Sequence, residues 1–434
     1  MTEVSKKITG VIEIKLSAIK TIEDGIKNIS DFKNKIEASF EQGTTEAMEI
    51  ILGGAVSLDA SDIHIEPFEK EAKIRTRIDG ALQDILLIDR KNYEGVLSRI
   101  KLLSELKLNI NDRPQDGRFS VIWKNISIEI RVSTIPAEYG ESIVLRILNP
   151  KSLIDLDALG LRKDLLFLFK KEIKKPNGMI IVTGPTGSGK TTTLYAFLKQ
   201  IYNPEIKIIT IEDPIEYHLK GTSQTQVEPE KGYDFAGGLK SIMRQDPDVI
   251  LVGEIRDLET VNIALQAALT GHLVLTTVHT NDAAGTVTRL LSLGAKLQNI
   301  GPALNMAIAQ RLARKICKKC AAFDSLSKEE TKKFRTELKG ISPEIKLPKV
   351  SLKTKIPHLK GCKECNFTGY KGRIGIFEAF LIDDEMEKFI LTSPSVASLQ
   401  ERARKKGMIT IKQDGLIKVL EGVTTLEEVE KITG

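Results

Sequence analysis

The chain has 434 residues, 41% of them hydrophobic and 28% charged, with 64 basic against 58 acidic side chains and a net charge of +6. At roughly 150 residues per domain this length suggests about three structural units, and the composition excludes disorder as the main state. No stretch approaches the ~18 uninterrupted apolar residues of a bilayer span, Met1–Lys20 lacks an apolar signal core, and so small a net charge gives no argument for stable nucleic-acid binding; a cytosolic protein is expected.

Residues 1–43 read as a helical segment, with Ile8, Ile12, Leu16 and Ile19 at helical spacing. Gly43-Thr44-Thr45 breaks that pattern and caps an apolar helix over Ala47–Val56. Period-two runs follow at Asp62–Ile65, Lys73–Ile78 and Ile126–Val132, with Asp79-Gly80 and Lys124-Asn125 as turns and a helix over Asn92–Leu106. This pattern predicts a small α+β domain over residues 44–150, with antiparallel strands wet on one face. Asn149–Leu161 reads as a linker.

Beyond it the pattern changes to strands apolar on both faces, Met179–Val182, Ile206–Ile211, Val249–Val252 and Leu273–Thr277. Helices are predicted between them over Thr191–Tyr202, Phe235–Gln245 and Glu259–Leu269. Such alternation means a mostly parallel sheet covered on both sides, an α/β fold. We assign 151–434 to this domain, with a cysteine-bearing element at about 315–370 and a helical C-terminus over Met386–Ile432. Within that element Ala321–Lys360 carries ten Lys/Arg against five Asp/Glu and reads as a solvated surface loop.

The first chemistry-bearing motif is Gly184-Pro185-Thr186-Gly187-Ser188-Gly189-Lys190-Thr191, which fits G-x-x-x-x-G-K-S/T at every position. Its glycines let backbone N–H groups cradle phosphate oxygens, Lys190 reaches the β- and γ-phosphates, and the Thr191 hydroxyl ligates Mg²⁺. A buried strand precedes it, and Thr192 continues a helix whose N-terminus adds its dipole. No guanine-reading Asn-Lys-x-Asp motif follows, so ATP is expected rather than GTP. Two strand ends offer carboxylates, Glu212 before Asp213-Pro214 and Glu254 after Gly253. In open α/β sheets ligands sit beyond the carboxyl ends of strands, which puts both near the phosphates. We expect Glu212 to orient or deprotonate the attacking water and Glu254 to hold the Mg²⁺ shell. His272 and His279 frame the fourth strand at odd separation, so an unbroken strand sends them to opposite faces. His279 is the better placed to sense phosphate; His272 is either a hydrogen-bonded structural histidine or lies at a subunit boundary. His64, His218 and His358 are read as structural or surface residues.

These elements in this order resemble the secretion ATPase superfamily, in particular the assembly motors of type II secretion and type IV pili. Gly184–Thr191 matches its Walker A, Ile209–Tyr217 its Asp box, Ile250–Asp257 an atypical Walker B and Thr270–Asn281 its His box. Upstream, Ser61–Pro67 and Arg113–Arg118 resemble its second N-terminal domain. The resemblance implies a RecA-like P-loop motor domain with a smaller PAS-like α+β domain, and a hexameric, Mg²⁺-dependent ATPase at the cytoplasmic face of the inner membrane. Its partner there would be a platform protein of the secretion or pilus machine. It also implies that Arg118 and Arg131 reach the nucleotide as arginine fingers, with Arg244 a third candidate.

Cys317-Lys-Lys-Cys320 and Cys362-Lys-Glu-Cys365 are two C-x-x-C knuckles that hold all four cysteines of the chain. Four thiolates so arranged suit a structural tetrahedral Zn²⁺, with a redox dithiol and unmetallated thiols as the other readings. Assembly-type members of the resembled family carry such an element and retraction-type members lack it. The alternatives to a secretion or pilus motor are a nucleic-acid translocase or DNA-uptake ring ATPase, which the 5% aromatic content disfavours, and a nucleotide-gated binding module without turnover.

Overall fold

The computed structural model describes residues 10–434, so Ile8 of the expected N-terminal helix lies outside the described residues. The chain divides into two compact units: one runs up to Ser152 and includes Lys360–Lys371, the other comprises Leu153–Leu359 and Gly372–Gly434.

Among the described residues the first element of this unit is a short strand. Strand β1 (Val11–Glu13) is followed by α1 (Leu16–Gly25), α2 (Ile29–Phe40) and α3 (Thr44–Ser57). Next come β2 (Ala60–Pro67), β3 (Glu71–Ile78), β4 (Ala81–Asp89), α4 (Arg90–Leu103), β5 (Gln115–Trp123), β6 (Ile126–Ala137) and β7 (Gly140–Leu148). They form one seven-stranded sheet in the order β1-β5-β6-β7-β2-β3-β4, with only the β1–β5 pair parallel. Ile12, Ile19, Ile22, Phe32 and Ile36 are buried in the same core as Ile51, Ile65, Val121 and Ile130. The apolar stripes of α1 and α2, which precede the expected domain start at residue 44, are covered by this sheet. Both expected turns hold. Asp79-Gly80 and Lys124-Asn125 have positive φ throughout (50°, 82°, 49° and 64°), the conformation that matches the right-handed twist of the strands they join.

The expected linker holds two short 3₁₀ turns, Pro150–Ser152 at the end of the first unit and Leu156–Leu159 in the second, the latter with Leu156 and Leu159 buried; the second unit continues from there. Then follow α5 (Lys163–Glu172), β8 (Gly178–Thr183), α6 (Lys190–Ile201), β9 (Ile208–Glu212), β10 (Thr222–Gln226), α7 (Phe235–Ile242), β11 (Val249–Val252), α8 (Leu258–Leu269) and β12 (Leu273–Val278). Beyond them lie α9 (Gly285–Ser292), α10 (Leu297–Ala303), β13 (Leu304–Ile316), β14 (Ala322–Ser325), α11 (Lys328–Glu337), β15 (Lys355–His358) and β16 (Tyr370–Leu381). The helical C-terminus is four helices, α12 (Asp384–Ile390), α13 (Val396–Lys405), α14 (Ile411–Leu420) and α15 (Leu426–Thr433).

The main sheet runs β10-β9-β11-β12-β8-β13-β16, parallel from β10 to β13. Along β8 the side chains alternate between two cores: Met179 and Ile181 pack with α7, α8 and the C-terminal helices, while Ile180 and Val182 pack with α5 and α6. That is why these strands are apolar at every position. Register places Thr183 beside Val278 and Val252 beside both Ile211 and Thr276. The carboxyl ends of β8, β9, β11 and β12 thus share one edge, which is the RecA-like arrangement. The strands β10, β13 and β16 carried no expectation.

Candidate active site

Strand β8 ends at Thr183 and the chain turns through Gly184–Gly189 into α6. Gly184, Gly187 and Gly189 have φ of +149°, +77° and +87°, values that only glycine adopts without strain. At Gly184 an added Cβ would stand 2.5 Å from the backbone oxygen of Gln310, so β13 packs directly against the loop entry. The buried Gln310 side chain also accepts a hydrogen bond from the Thr193 hydroxyl (2.7 Å), tying α6 to the same strand. Lys190 Nζ donates to the carbonyls of Gly184 (2.9 Å) and Pro185 (3.2 Å). Burial pushes the Lys190 ammonium below the ordinary lysine value, and Glu254 pulls the other way.

A cleft of about 410 Å³ opens at this edge of the sheet, within the range of small-molecule sites. Thr186, Gly187, Gly189, Lys190, Thr191 and Thr192 line it, together with Glu212, Glu254 and His279. Gly184, Pro185 and Ser188 complete the loop backbone. The structure therefore gathers the expected phosphate loop, both strand-end carboxylates and the strand-end histidine around one cavity. Asp213 and Glu216 add further carboxylates, and Phe235, Leu312 and Arg373 are also part of the wall. Arg373 comes from β16, far along the chain, and no local pattern marks it.

Glu212 ends β9 and is only 3% exposed. Its Oε1 accepts from the Thr210 hydroxyl (2.6 Å) and from Gln224 Nε2 (3.1 Å); its Oε2 accepts from the Tyr195 hydroxyl. A carboxylate offers about four lone-pair positions, so one on Oε2 is left, and Glu212 lines the cleft. Glu254 contacts Arg256 through Oε1, and its Oε2 lies 3.5 Å from His279 Nε2. Residues Thr191, Glu212, Asp213 and Glu254 present hard oxygen donors only, a set that fits Mg²⁺ and not a soft metal. His279 is half exposed, whereas His272 turns its Nδ1 to the Ala267 carbonyl (3.0 Å) at the end of α8. The structural reading of His272 is the one that this contact supports.

The arginines stand elsewhere. Arg118 on β5 and Arg131 on β6 are direct cross-strand neighbours in the first unit, and Arg131 is in turn opposite Arg146 on β7. Three guanidinium groups in one row cost stability unless countered. Glu129 reaches Arg118 (3.9 Å) and Arg131 (3.2 Å), and Asp62 reaches Arg146 (3.2 Å). Arg146 was missed, although its place in the β7 alternation shows it on the same face. Arg244 is exposed, donates to Ser241 Oγ (3.2 Å) and does not line the cleft. None of His64, His218 and His358 lines it either.

The sulfur atoms of Cys317, Cys320, Cys362 and Cys365 all lie within 4.8 Å of one another. Those of Cys362 and Cys365 are 3.8 Å apart, about the edge of a tetrahedron with ~2.3 Å Zn–S bonds. The backbone N–H groups of Cys362 (3.1 Å) and Gly369 (3.3 Å) point at Cys365 Sγ, as donors to a thiolate do. The donor set and its spacing fit Zn²⁺.

A family model described as "Type II/IV secretion system protein" matches residues 39–431. The chain is 42% identical over 399 residues to the type II secretion system ATPase E of Vibrio cholerae serotype O1, covering 92% of this chain and 77% of that protein. It is likewise 42% identical over 393 residues to the type IV pilus assembly ATPase PilB of Thermus thermophilus, covering 90% of this chain and 43% of that one. Among solved structures, the pilus retraction motor PilT with bound ADP superposes with a TM-score of 0.59 at 27% identity, over 88% of this chain and 95% of that one.

Proposed function

The chain belongs to the type II/IV secretion system protein family and is an ATPase; from that premise we propose that it is a homohexameric, Mg²⁺-dependent motor that drives assembly of a pilus or pseudopilus. It would work at the cytoplasmic face of the inner membrane against a platform protein of the machine. Among the described residues no helix is long and apolar enough to cross a membrane, which accords with peripheral attachment. The observation that carries the reading is the convergence of the phosphate loop, Glu212, Glu254 and His279 on one cleft at the carboxyl edge of a parallel sheet.

The chain's own groups divide the work. The backbone N–H groups of Gly184–Thr191 and the N-terminus of α6 bind the phosphates of ATP, and Lys190 places a point charge among them. Thr191 and Glu254 would hold the magnesium ion with its waters, and that ion, when bound, neutralises charge developing on the phosphates. Glu212, held by three donors, orients the attacking water and takes its proton through the remaining position on Oε2. His279, beside Glu254, senses the phosphate. The row Arg118, Arg131 and Arg146 would supply positive charge to the nucleotide site of a neighbouring subunit. Cys317, Cys320, Cys362 and Cys365 would hold a structural zinc ion, an element that favours assembly over retraction.

Phosphate release by the purified full chain tests the reading. Lys190→Ala is expected to abolish turnover and weaken nucleotide binding; hydrolysis near the wild-type rate would overturn the assignment of the site.

A further inference from the structure

The Glu212 carboxylate is held from three separate elements. Tyr195 lies on α6, Thr210 precedes it on β9 and Gln224 stands on the edge strand β10. Tyr195 is 1% exposed, and its ring meets that of Tyr217 edge to face, with centroids 6.2 Å apart. A buried phenol without an acceptor costs stability, and its acceptor here is Glu212 Oε2, the oxygen that takes one hydrogen bond where Oε1 takes two. Gln224 is held at both ends of its amide: Nε2 donates to Glu212 Oε1 and to the Tyr217 carbonyl (3.0 Å), while Oε1 accepts from the Leu219 N–H (2.7 Å).

From this geometry we propose that Tyr195 and Gln224 are positioning residues for ATP hydrolysis, which fix the Glu212 carboxylate so that its single unoccupied lone pair meets the attacking water. The inference rests on the reading of Glu212 as the group that takes the water's proton. Carboxylate rotamers are broad, so a Glu at a strand end has no fixed aim of its own. Tyr195 removes the rotation about the terminal bond on one side, and Gln224 with Thr210 on the other. Burial and the adjacent Glu212 push the Tyr195 phenol upward from its ordinary value, which keeps it a hydrogen-bond donor at every working pH. Through Tyr217 and Leu219 the same contacts fasten the segment after Pro214, whose Glu216 also lines the cleft. A displacement of that segment would therefore release the carboxylate.

The test is steady-state phosphate release by the full chain for wild type, Tyr195→Phe, Thr210→Val, Gln224→Leu, Glu212→Gln and the Tyr195→Phe/Glu212→Gln double variant. Tyr195→Phe keeps the ring and removes only the donor. It should lower kcat about 10-fold with KM for Mg-ATP within about twofold, the loss of roughly one charge-assisted hydrogen bond. Gln224→Leu and the near-isosteric Thr210→Val should lower kcat in the same direction, so the inference does not hang on one variant folding. The double variant should be no slower than Glu212→Gln alone, because positioning has no meaning once the carboxylate is gone. A Tyr195→Phe enzyme with full kcat, one changed only in KM, or a double variant slower by a further 10-fold would overturn the proposal. Slow Glu212→Gln with normal Tyr195→Phe and Gln224→Leu rejects the positioning residues alone; wild-type turnover in Glu212→Gln rejects the role of Glu212 itself.

Discussion

Replacing Glu212 by Gln separates the folding role of this side chain from its chemical one, because the surrounding donors dictate how the amide must lie. Oε1 receives two hydrogen bonds, from Thr210 and Gln224. An NH₂ group there would face two donors, so the amide oxygen must take that place and the NH₂ must face Tyr195. The Tyr195 hydroxyl then loses its acceptor. Leaving one buried donor unpaired costs about 1–3 kcal/mol, which lowers Tm by a few degrees in a domain of this size. The variant should therefore fold and, with Lys190, Thr191 and Glu254 untouched, bind Mg-ATP within about threefold of wild type. Turnover should fall by at least ~10²-fold, or about 2.7 kcal/mol, as for removal of a general base. Phosphate release at saturating Mg-ATP and titration with a fluorescent nucleotide measure the two quantities. Glu254→Gln is expected to raise the Mg²⁺ requirement instead. If Glu212→Gln shifts the Mg²⁺ dependence and Glu254→Gln stops turnover without doing so, the two roles are exchanged. If neither slows hydrolysis, the strand ends are not the catalytic edge.

The remaining predictions concern the parts that hold the site. Elemental analysis should find one zinc per chain, and Cys362→Ser should lose it and destabilise the region around the knuckles while nucleotide binding persists; four freely titrating thiols in the wild type would contradict this. Gly184→Ala should weaken nucleotide binding by at least about 10-fold, since φ of +149° costs a residue with a Cβ about 1–3 kcal/mol and the methyl group would stand 2.5 Å from the Gln310 carbonyl oxygen; binding at wild-type affinity would show that β13 yields. In the first unit, Lys101 pairs with Glu141 with both side chains buried, and donates to the Ile110 carbonyl (2.6 Å). Lys101→Met should cost about 3–5 kcal/mol by leaving Glu141 charged and alone, and Lys101→Met/Glu141→Leu should recover much of it in thermal unfolding.

What was legible in the chain is what short stretches of backbone and side chain dictate by themselves. The phosphate loop needs glycines where φ is positive and a Lys-Thr pair at a helix start, and these lie within eight consecutive residues. The knuckles are legible because two cysteines three apart present their sulfurs together, and the central strands because burial on both faces demands an apolar residue at every position. Asp79-Gly80 and Lys124-Asn125 announce hairpins for the same local reason. The placement of β1 beside β5 is different. It depends on a pairing across more than a hundred residues, and residues 1–43 bear only the helical stripes that such a pairing makes useful. Likewise Glu212 could be named from the end of its strand, but its aim is set by Tyr195 on the preceding helix and Gln224 on an edge strand with no apolar signature. Arg146 joins Arg118 and Arg131 only through cross-strand register, and Arg373 reaches the cleft only because β16 belongs to the same sheet. Contacts of this kind are decided by the packing of whole elements, whose energy is shared among many weak apolar contacts, and no single stretch of sequence carries that sum.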